Sequence, residues 1–234
     1  MSSKRIYIDF EYNSTTQEKL NLVSVAWVDV FETKDQVFKK PFKLWLHGSP
    51  LNKKNVAEML LQFKRMDYTF VAFNVIAEGH AFYSLGLDPT KFRWIDLQAE
   101  WKMLTNHWND FGYGKQLIGG KKVRTYPPKL YSKDEDDGLN HSKSEKSFAA
   151  AAYKLIGKEV DTAHKDIMRN IIIENNPERI EAYKQEILEY NLSDVEPMRD
   201  MLKAVFKAYN SHPAPIKFEH IYKRGRAMAD AALM

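Results

Sequence analysis

The sequence predicts an α/β fold: a mixed five-stranded sheet with helices on both faces, three layers in all, leading into a helical C-terminal part. Three observations lead there. Apolar stretches of strand length at 5–13, 22–30 and 37–46 are joined by short polar connections, which suits antiparallel neighbours. The next two strand-like stretches, 68–74 and 92–97, are separated by a segment of helical spacing, as β-α-β crossovers require. From Ser147 onward the apolar residues recur only at helical intervals.

Each element has its local reason. "RIYIDFEYN" (5–13) alternates, with Ile6, Ile8 and Phe10 on one side and Tyr7, Asp9 and Glu11 on the other. "LVSVAWVDV" (22–30) and "VFKKPFKLWL" (37–46) are rich in the β-branched and aromatic residues that strands favour. In "NKKNVAEMLLQFKRM" (52–66), Val56, Met59, Leu60 and Phe63 form one helical stripe, with Asn52 or Asn55 as its cap. "YTFVAFN" (68–74) ends at Asn74; a helix over about 78–86 precedes the strand "FRWIDL" (92–97), and another runs through "QAEWKMLTNHW" (98–108). Residues 110–146 break the pattern. There "YGKQLIGGKKVRTY" (113–126) suits a hairpin turning at Gly119-Gly120, and "SKDEDDGLNHSKSEK" (132–146) is polar, its run Asp134 to Asp137 reading as a solvated loop. Helices follow in "KSFAAAAYKLIG" (146–157), in "TAHKDIMRNIII" (162–173), in a long helix with Pro177 in its first turn, and after "SHPAP" (211–215).

Composition narrows the function. The chain has 234 residues and no cysteine, which excludes disulfides and thiolate metal sites and makes a reducing, cytoplasmic setting the expectation. No eighteen apolar residues run together and "MSSKRIYIDF" has no apolar signal core, so neither a membrane span nor ordinary export is expected. The net charge of +4 says little, because 35 basic and 31 acidic residues nearly cancel. Basic residues concentrate at 119–133, interleaved with Tyr126 and Tyr131, and at 221–226; either stretch suits a nucleic-acid backbone or plain solvation.

The acids are the informative part. With a rise of about 3.3 Å per residue, Asp9 and Glu11 share a strand face about 7 Å apart and repel unless a cation or water intervenes. A wet edge strand would tolerate them too. Glu78 follows Asn74 by four residues, where a strand gives way to a helix and where α/β proteins place ligands, although a helix-start acid also favours the dipole. Asp96 ends the fifth strand. Tyr190 and Asp194, four apart, lie on one helical face. Singly, each is ordinary.

In this order they resemble the DEDD superfamily of 3′–5′ exonucleases, in the subclass with a tyrosine in its third motif. The likeness is greatest to the proofreading domain of family A DNA polymerases of phage or bacterial type. Asp9-Phe10-Glu11 matches the first motif, Asn74 with Glu78 the second, and Tyr190-Asn191-Leu192-Ser193-Asp194 the third. Glu189 disfavours the histidine subclass, and the match spans about 4–205. The second motif departs from the family's usual aspartate, Glu78 being one methylene longer.

The resemblance implies a ribonuclease H-like domain over 1–209 with an insertion at 110–146, and a C-terminal basic helix at 210–234 that connects to or contacts a polymerase. It implies two divalent cations, Mg²⁺ or Mn²⁺, about 3.5–4 Å apart, held by oxygen ligands rather than the cysteines or paired histidines of zinc sites. Asp9 would bridge both ions, Glu11 and Asp194 complete the nucleophile-activating site, and Glu78 serve the second ion. Tyr190 would orient the attacking water, since a phenol of pKa near 10 is a poor base at neutral pH. The substrate would be a single-stranded DNA 3′ end or frayed primer terminus, and the product nucleoside monophosphates; Tyr12 and Asn74 beside the motifs are candidate contacts, and Lys165 and Arg169, on one helical face, suit either the substrate phosphates or plain solvation. An exoribonuclease of the same fold remains an alternative, as does a degenerate domain that binds nucleic acid or a polymerase without cutting.

Overall fold

The structure, a computed structural model, describes residues 3–16, 19–105, 115–118, 121–124, 147–210 and 217–234. At its centre is β1 (Ser3–Thr16). On one side it pairs antiparallel with β2 (Lys19–Glu32), and β2 in turn with β3 (Val37–Trp45). On the other it pairs parallel with β4 (Thr69–Ala72), and β4 with β5 (Arg93–Asp96). The result is the mixed five-stranded sheet expected, in the order β3-β2-β1-β4-β5.

Alternation in β1 divides the core. Ile6, Ile8 and Phe10 pack with Phe70, Phe82, Trp27 and helix α1 (Pro50–Arg65) on one face. Tyr7 packs on the opposite face with Trp101, Phe148 and Met201, from helices α3 (Leu97–Thr105), α4 (Phe148–Ile156) and α8 (Met198–Asn210). Helix α2 (Val75–Ser84) follows β4 directly. A smaller cluster joins Val23 and Trp45 to α5 (Thr162–Glu174), α6 (Pro177–Ala182) and α7 (Lys184–Val195).

Several boundaries differ from the sequence reading for local reasons. Helix α1 is capped by Ser49, whose hydroxyl accepts from the Asn52 N–H with Pro50 in the first turn; the Asn52 amide instead donates to the Trp45 carbonyl at 2.8 Å. Helix α2 starts at Val75 rather than near 78, because the Asp96 carboxylate accepts the otherwise unmatched Val75 N–H at 3.0 Å. The long helix expected from Pro177 is three: Tyr183 leaves helical geometry between α6 and α7, and Pro197, which has no N–H to continue the ladder, separates α7 from α8. Strands β6 (Lys115–Ile118) and β7 (Lys121–Arg124) pair antiparallel as the hairpin requires. Its Gly119-Gly120 turn, and the polar stretch 132–146, lie outside the described residues.

The last helix, α9 (Phe218–Ala231), covers the β5 edge of the sheet: its Ile221 enters one core and its Ala229 the other. The approach requires glycine, since a Cβ at Gly225 would lie 2.3 Å from the Trp94 carbonyl oxygen. Arg224 fixes the helix by an ion pair to the fully buried Glu100, Nε donating at 2.7 Å, and Tyr209 donates to the same carboxylate. The opposite edge, β3, is exposed at Lys39, Lys40 and Pro41, residues that discourage further strand pairing. No helix among the described residues is long and apolar enough to cross a membrane.

Candidate functional site

Strand β1 outruns its parallel neighbour. The β1–β4 ladder covers Arg5 to Tyr7 only, so Asp9 and Glu11 lie beyond the carboxyl end of β4, at a crevice in the sheet. Beside Glu11 the pairing with β2 slips, Glu11 facing Ser24 and Tyr12 facing Leu22, so β2 carries Val23 as an extra residue. The Val23 carbonyl is taken up by the N–H groups of Leu46 and His47, and its side chain packs in the cluster that holds Tyr190.

Helix α7 brings the third element. Asn191 is fully buried and donates to Ser24 Oγ at 3.2 Å, which fixes the helix's rotation on β2 and aims Tyr190 and Asp194 at the acids of β1. Asp9, Glu11 and Asp194 each place a carboxylate oxygen within 4.8 Å of the others. Glu78, 2% exposed on the first turn of α2, interacts with Asp9, and its Oε2 has no hydrogen-bond partner. Lys165, from α5, is ion-paired to Asp194 Oδ2 at 2.5 Å. Its ammonium stands 5.0 Å from the Phe148 ring centroid and 5.5 Å from that of Tyr190.

The electrostatics follow from this crowding. Burial, and then the nearby Asp194, push the Asp9 carboxyl up to about 7, with Lys165 opposing. Burial and Asp9 raise Glu11 and Glu78 well above the usual carboxylate range. The Tyr190 phenol is raised far above its ordinary value, by burial first and then by Glu11, Asp194 and Asp9. It therefore keeps its proton, its hydroxyl hydrogen-bonded with Glu11 and Asp194. A buried acceptor with no donor and a cluster of acids forced toward neutrality both ask for a cation. The donor set is all oxygen, as hard divalent ions prefer, so the residues present fit such a metal.

The acids open onto a cleft of about 290 Å³. Tyr12, Phe73, Phe148 and Met198 give it an apolar wall, and Asn74, Lys165 and Arg169 polar margins.

No protein-family model matches this chain, and no curated protein matches it in sequence. A solved structure described as the apo form of a nuclease superposes over 98% of this chain and 83% of its own, with a TM-score of 0.58 at 11% identity. The chain shares the fold of that structure.

Within that fold, residues far apart in sequence, Asp9, Glu11, Glu78, Tyr190 and Asp194, meet at one place. Tyr12, Asn74, Lys165 and Arg169 all line the cleft, Arg169 from an exposed position one turn beyond Lys165. Lys165 faces Asp194 rather than open solvent. Asp96 is not among the meeting acids' ligands: its two oxygens accept from Val75 N and Ala99 N, tying the starts of α2 and α3 together. Sequence reasoning missed Phe148 and Met198 as wall residues; at helical spacing they are indistinguishable from core.

Proposed function

We propose that the chain is a metal-dependent 3′–5′ exodeoxyribonuclease that releases nucleoside monophosphates from DNA 3′ ends and serves proofreading by a DNA polymerase. The observation that carries this reading is the convergence of Asp9, Glu11 and Asp194, within 4.8 Å, from the first strand and a helix near the chain's far end. The fold shared with a nuclease, and the cleft that opens from the acids, support it.

Asp9, Glu11, Glu78 and Asp194 would hold the ions, with the unmatched Glu78 Oε2 as a donor atom. Bound there, two divalent cations supply an activated nucleophile at neutral pH and charge stabilisation at the leaving 3′ oxygen. The chain's own groups do the rest. Tyr190, its proton held, donates from one side of the acids and so orients the attacking water without accepting a proton. Tyr12, Phe73 and Phe148 offer ring faces against which a terminal base stacks while water is excluded. Arg169 and Lys165 lie where the phosphates of an entering strand would run.

The test is a primer with a mismatched 3′ end, incubated with Mg²⁺ and followed by release of labelled nucleotide. Stepwise mononucleotide release from the 3′ end, abolished by EDTA and by Asp9→Ala, is expected. No release by the parent protein, or equal release by the variant, overturns the reading. Matched DNA and RNA oligonucleotides compare the two sugars, because selection rests on contacts at the 2′ position.

A further inference from the structure

Among the described residues, Lys165 is the cation that the fold delivers into the acid cluster, and its placement is specific. It comes from α5, 29 residues ahead of Asp194 in sequence, and takes Oδ2 of that residue at 2.5 Å. Its side chain is 27% exposed while that of Asp194 is 8% exposed, so it reaches inward from the cleft margin. Two rings flank the ammonium, Phe148 at 5.0 Å and Tyr190 at 5.5 Å, which gives a lysine a favourable seat without any further carboxylate. It also lowers the proton affinity of both Asp9 and Glu11. A single ammonium cannot balance four acids, and it occupies an oxygen of a residue that belongs to the metal-fitting set.

We infer that Lys165 is a resident counter-ion of the metal-free site, bound to Asp194 in competition with the cation and displaced into the cleft when the cation binds. The inference rests on the reading of the acids as a metal site. A dication beside Asp194 would repel an ammonium at hydrogen-bond distance from the same carboxylate, so the two states exclude each other. The flexible four-carbon stem lets the ammonium leave without moving α5, and the margin it would reach is the one that Arg169 already shares. Metal loading and the arrival of a second positive group at the cleft mouth are then one event. The site would present its full positive edge to an anionic strand only when it is ready to cut.

Two measurements test this without recourse to activity. The first uses the parent protein. Lysine acetylation by an amine-reactive ester, mapped by mass spectrometry with and without Mg²⁺, reads the accessibility of each ammonium. Labelling of Lys165 is expected to rise about five-fold or more on adding Mg²⁺, as the ion pair to Asp194 is broken. Unchanged or reduced labelling overturns the inference. The second compares Mn²⁺ binding by calorimetry in the parent, Lys165→Met and Lys165→Arg. Removing the competing charge is expected to tighten Mn²⁺ binding about ten-fold in Lys165→Met, with little change in Lys165→Arg. Equal or weaker binding by a folded Lys165→Met overturns it. If no Mn²⁺ binds to the parent or to either variant, the metal reading itself falls and the exchange with it. Mn²⁺ binding that is insensitive to residue 165 leaves the metal reading standing and removes only the exchange.

Discussion

Two groups of acids in this molecule, one fully buried and one partly, have been treated in opposite ways. At the β5 edge, Glu100 is fully buried and fully matched: Arg224 meets both of its oxygens and Tyr209 donates to it. At the carboxyl end of β1, Asp9, Glu11, Glu78 and Asp194 crowd together around one lysine, and Glu78 keeps an oxygen with no partner. Glu78 and Asp194 are almost as deeply buried as Glu100, so burial alone does not distinguish the two groups. What distinguishes them is whether the fold also supplies the countercharge. Glu100 is satisfied by groups of the chain itself, whereas the acids at the end of β1 are left, among the described residues, with less countercharge than they carry, as a site that takes up a cation would be.

The contrast is broken most sharply by neutralising one member of each group. Asp9→Asn keeps the shape and removes one charge from the crowd. We expect nucleotide release to fall on the order of 10³-fold or more, beyond the 10- to 100-fold typical of groups that act on a metal through a ligand. The same variant, measured in EDTA by thermal melting, is expected to melt no lower than the parent, since an unfavourable charge has gone. A metal-free Asp9→Asn that melts well below the parent would mean that this acid is structural after all.

Arg224→Ala is the converse. It leaves Glu100 in the core with Tyr209 as its remaining partner among the described residues, and breaking a buried pair from one side costs about 3–5 kcal/mol. Urea unfolding should show that loss. Nucleotide release per folded molecule should stay within about two-fold, because Arg224 is bonded to Glu100 and not to the acids at the end of β1. A variant as stable as the parent would show that α9 docks through its apolar contacts alone, namely Ile221, Ala229 and the close approach of Gly225.

A third expectation concerns pH. A carboxyl whose pKa is higher folded than unfolded binds its proton more tightly in the folded state, so it contributes stability while protonated. That contribution is lost as pH rises from the ordinary carboxylate range through the folded value. For Asp9 the window ends at about 7, and for Glu11 and Glu78 it extends upward. The melting temperature in EDTA should therefore fall between about pH 5 and pH 8, and saturating Mg²⁺ should flatten the slope. Glu32, whose burial is outweighed by Arg199, Lys203 and Arg5, has a lowered pKa; it is ionised throughout that window and adds no slope. A metal-free profile that is flat or rising would show the acids to be better compensated than their geometry indicates.

The two acid groups also differ in how far the sequence exposes them. Asp9 and Glu11 stand out because period-two alternation leaves them on a strand that is otherwise apolar, and Tyr190 and Asp194 because one helical turn separates them. Glu100 carries no such mark. Within α3 it reads as one more polar helix residue, and its partner lies 124 positions later, a pairing that no local period encodes. Lys165 and Asp194 are hidden from each other for the same reason, as is the slip at Val23 that shapes the strand beside Glu11. Some misses were local. Ser49 followed by Pro50 is a helix-start signal that outranks Asn52, and Pro197 is a break that the helical period ran across. The mixed five-stranded sheet was legible because short connections suit antiparallel neighbours and crossovers parallel ones. Side-chain partnerships were not, because they depend on three-dimensional proximity that the sheet order alone does not specify.

The smallest effect comes from Glu78, where the chain departs from the aspartate of the family it resembles. Its helix begins at Val75, three residues ahead of it, so Glu78 sits within the first turn with its backbone N–H already bonded to the Asn74 carbonyl. The neighbouring Gly79 lies against Ala232, where a Cβ would come within 2.5 Å of the alanine methyl, so α2 cannot easily shift to carry a shorter side chain inward. With α2 held in place, the length of Glu78 carries its carboxylate to Asp9. Glu78→Asp should withdraw it by about 1.5 Å and leave a void worth about 1 kcal/mol at most. The expected outcome is a three- to ten-fold lower rate that higher Mg²⁺ partly restores, with stability nearly unchanged. Asp9→Asn, by contrast, should gain nothing from added metal. If Glu78→Asp instead raises the rate, the longer side chain is a brake rather than a reach, and the unmatched Oε2 is held in reserve for a group other than the second ion.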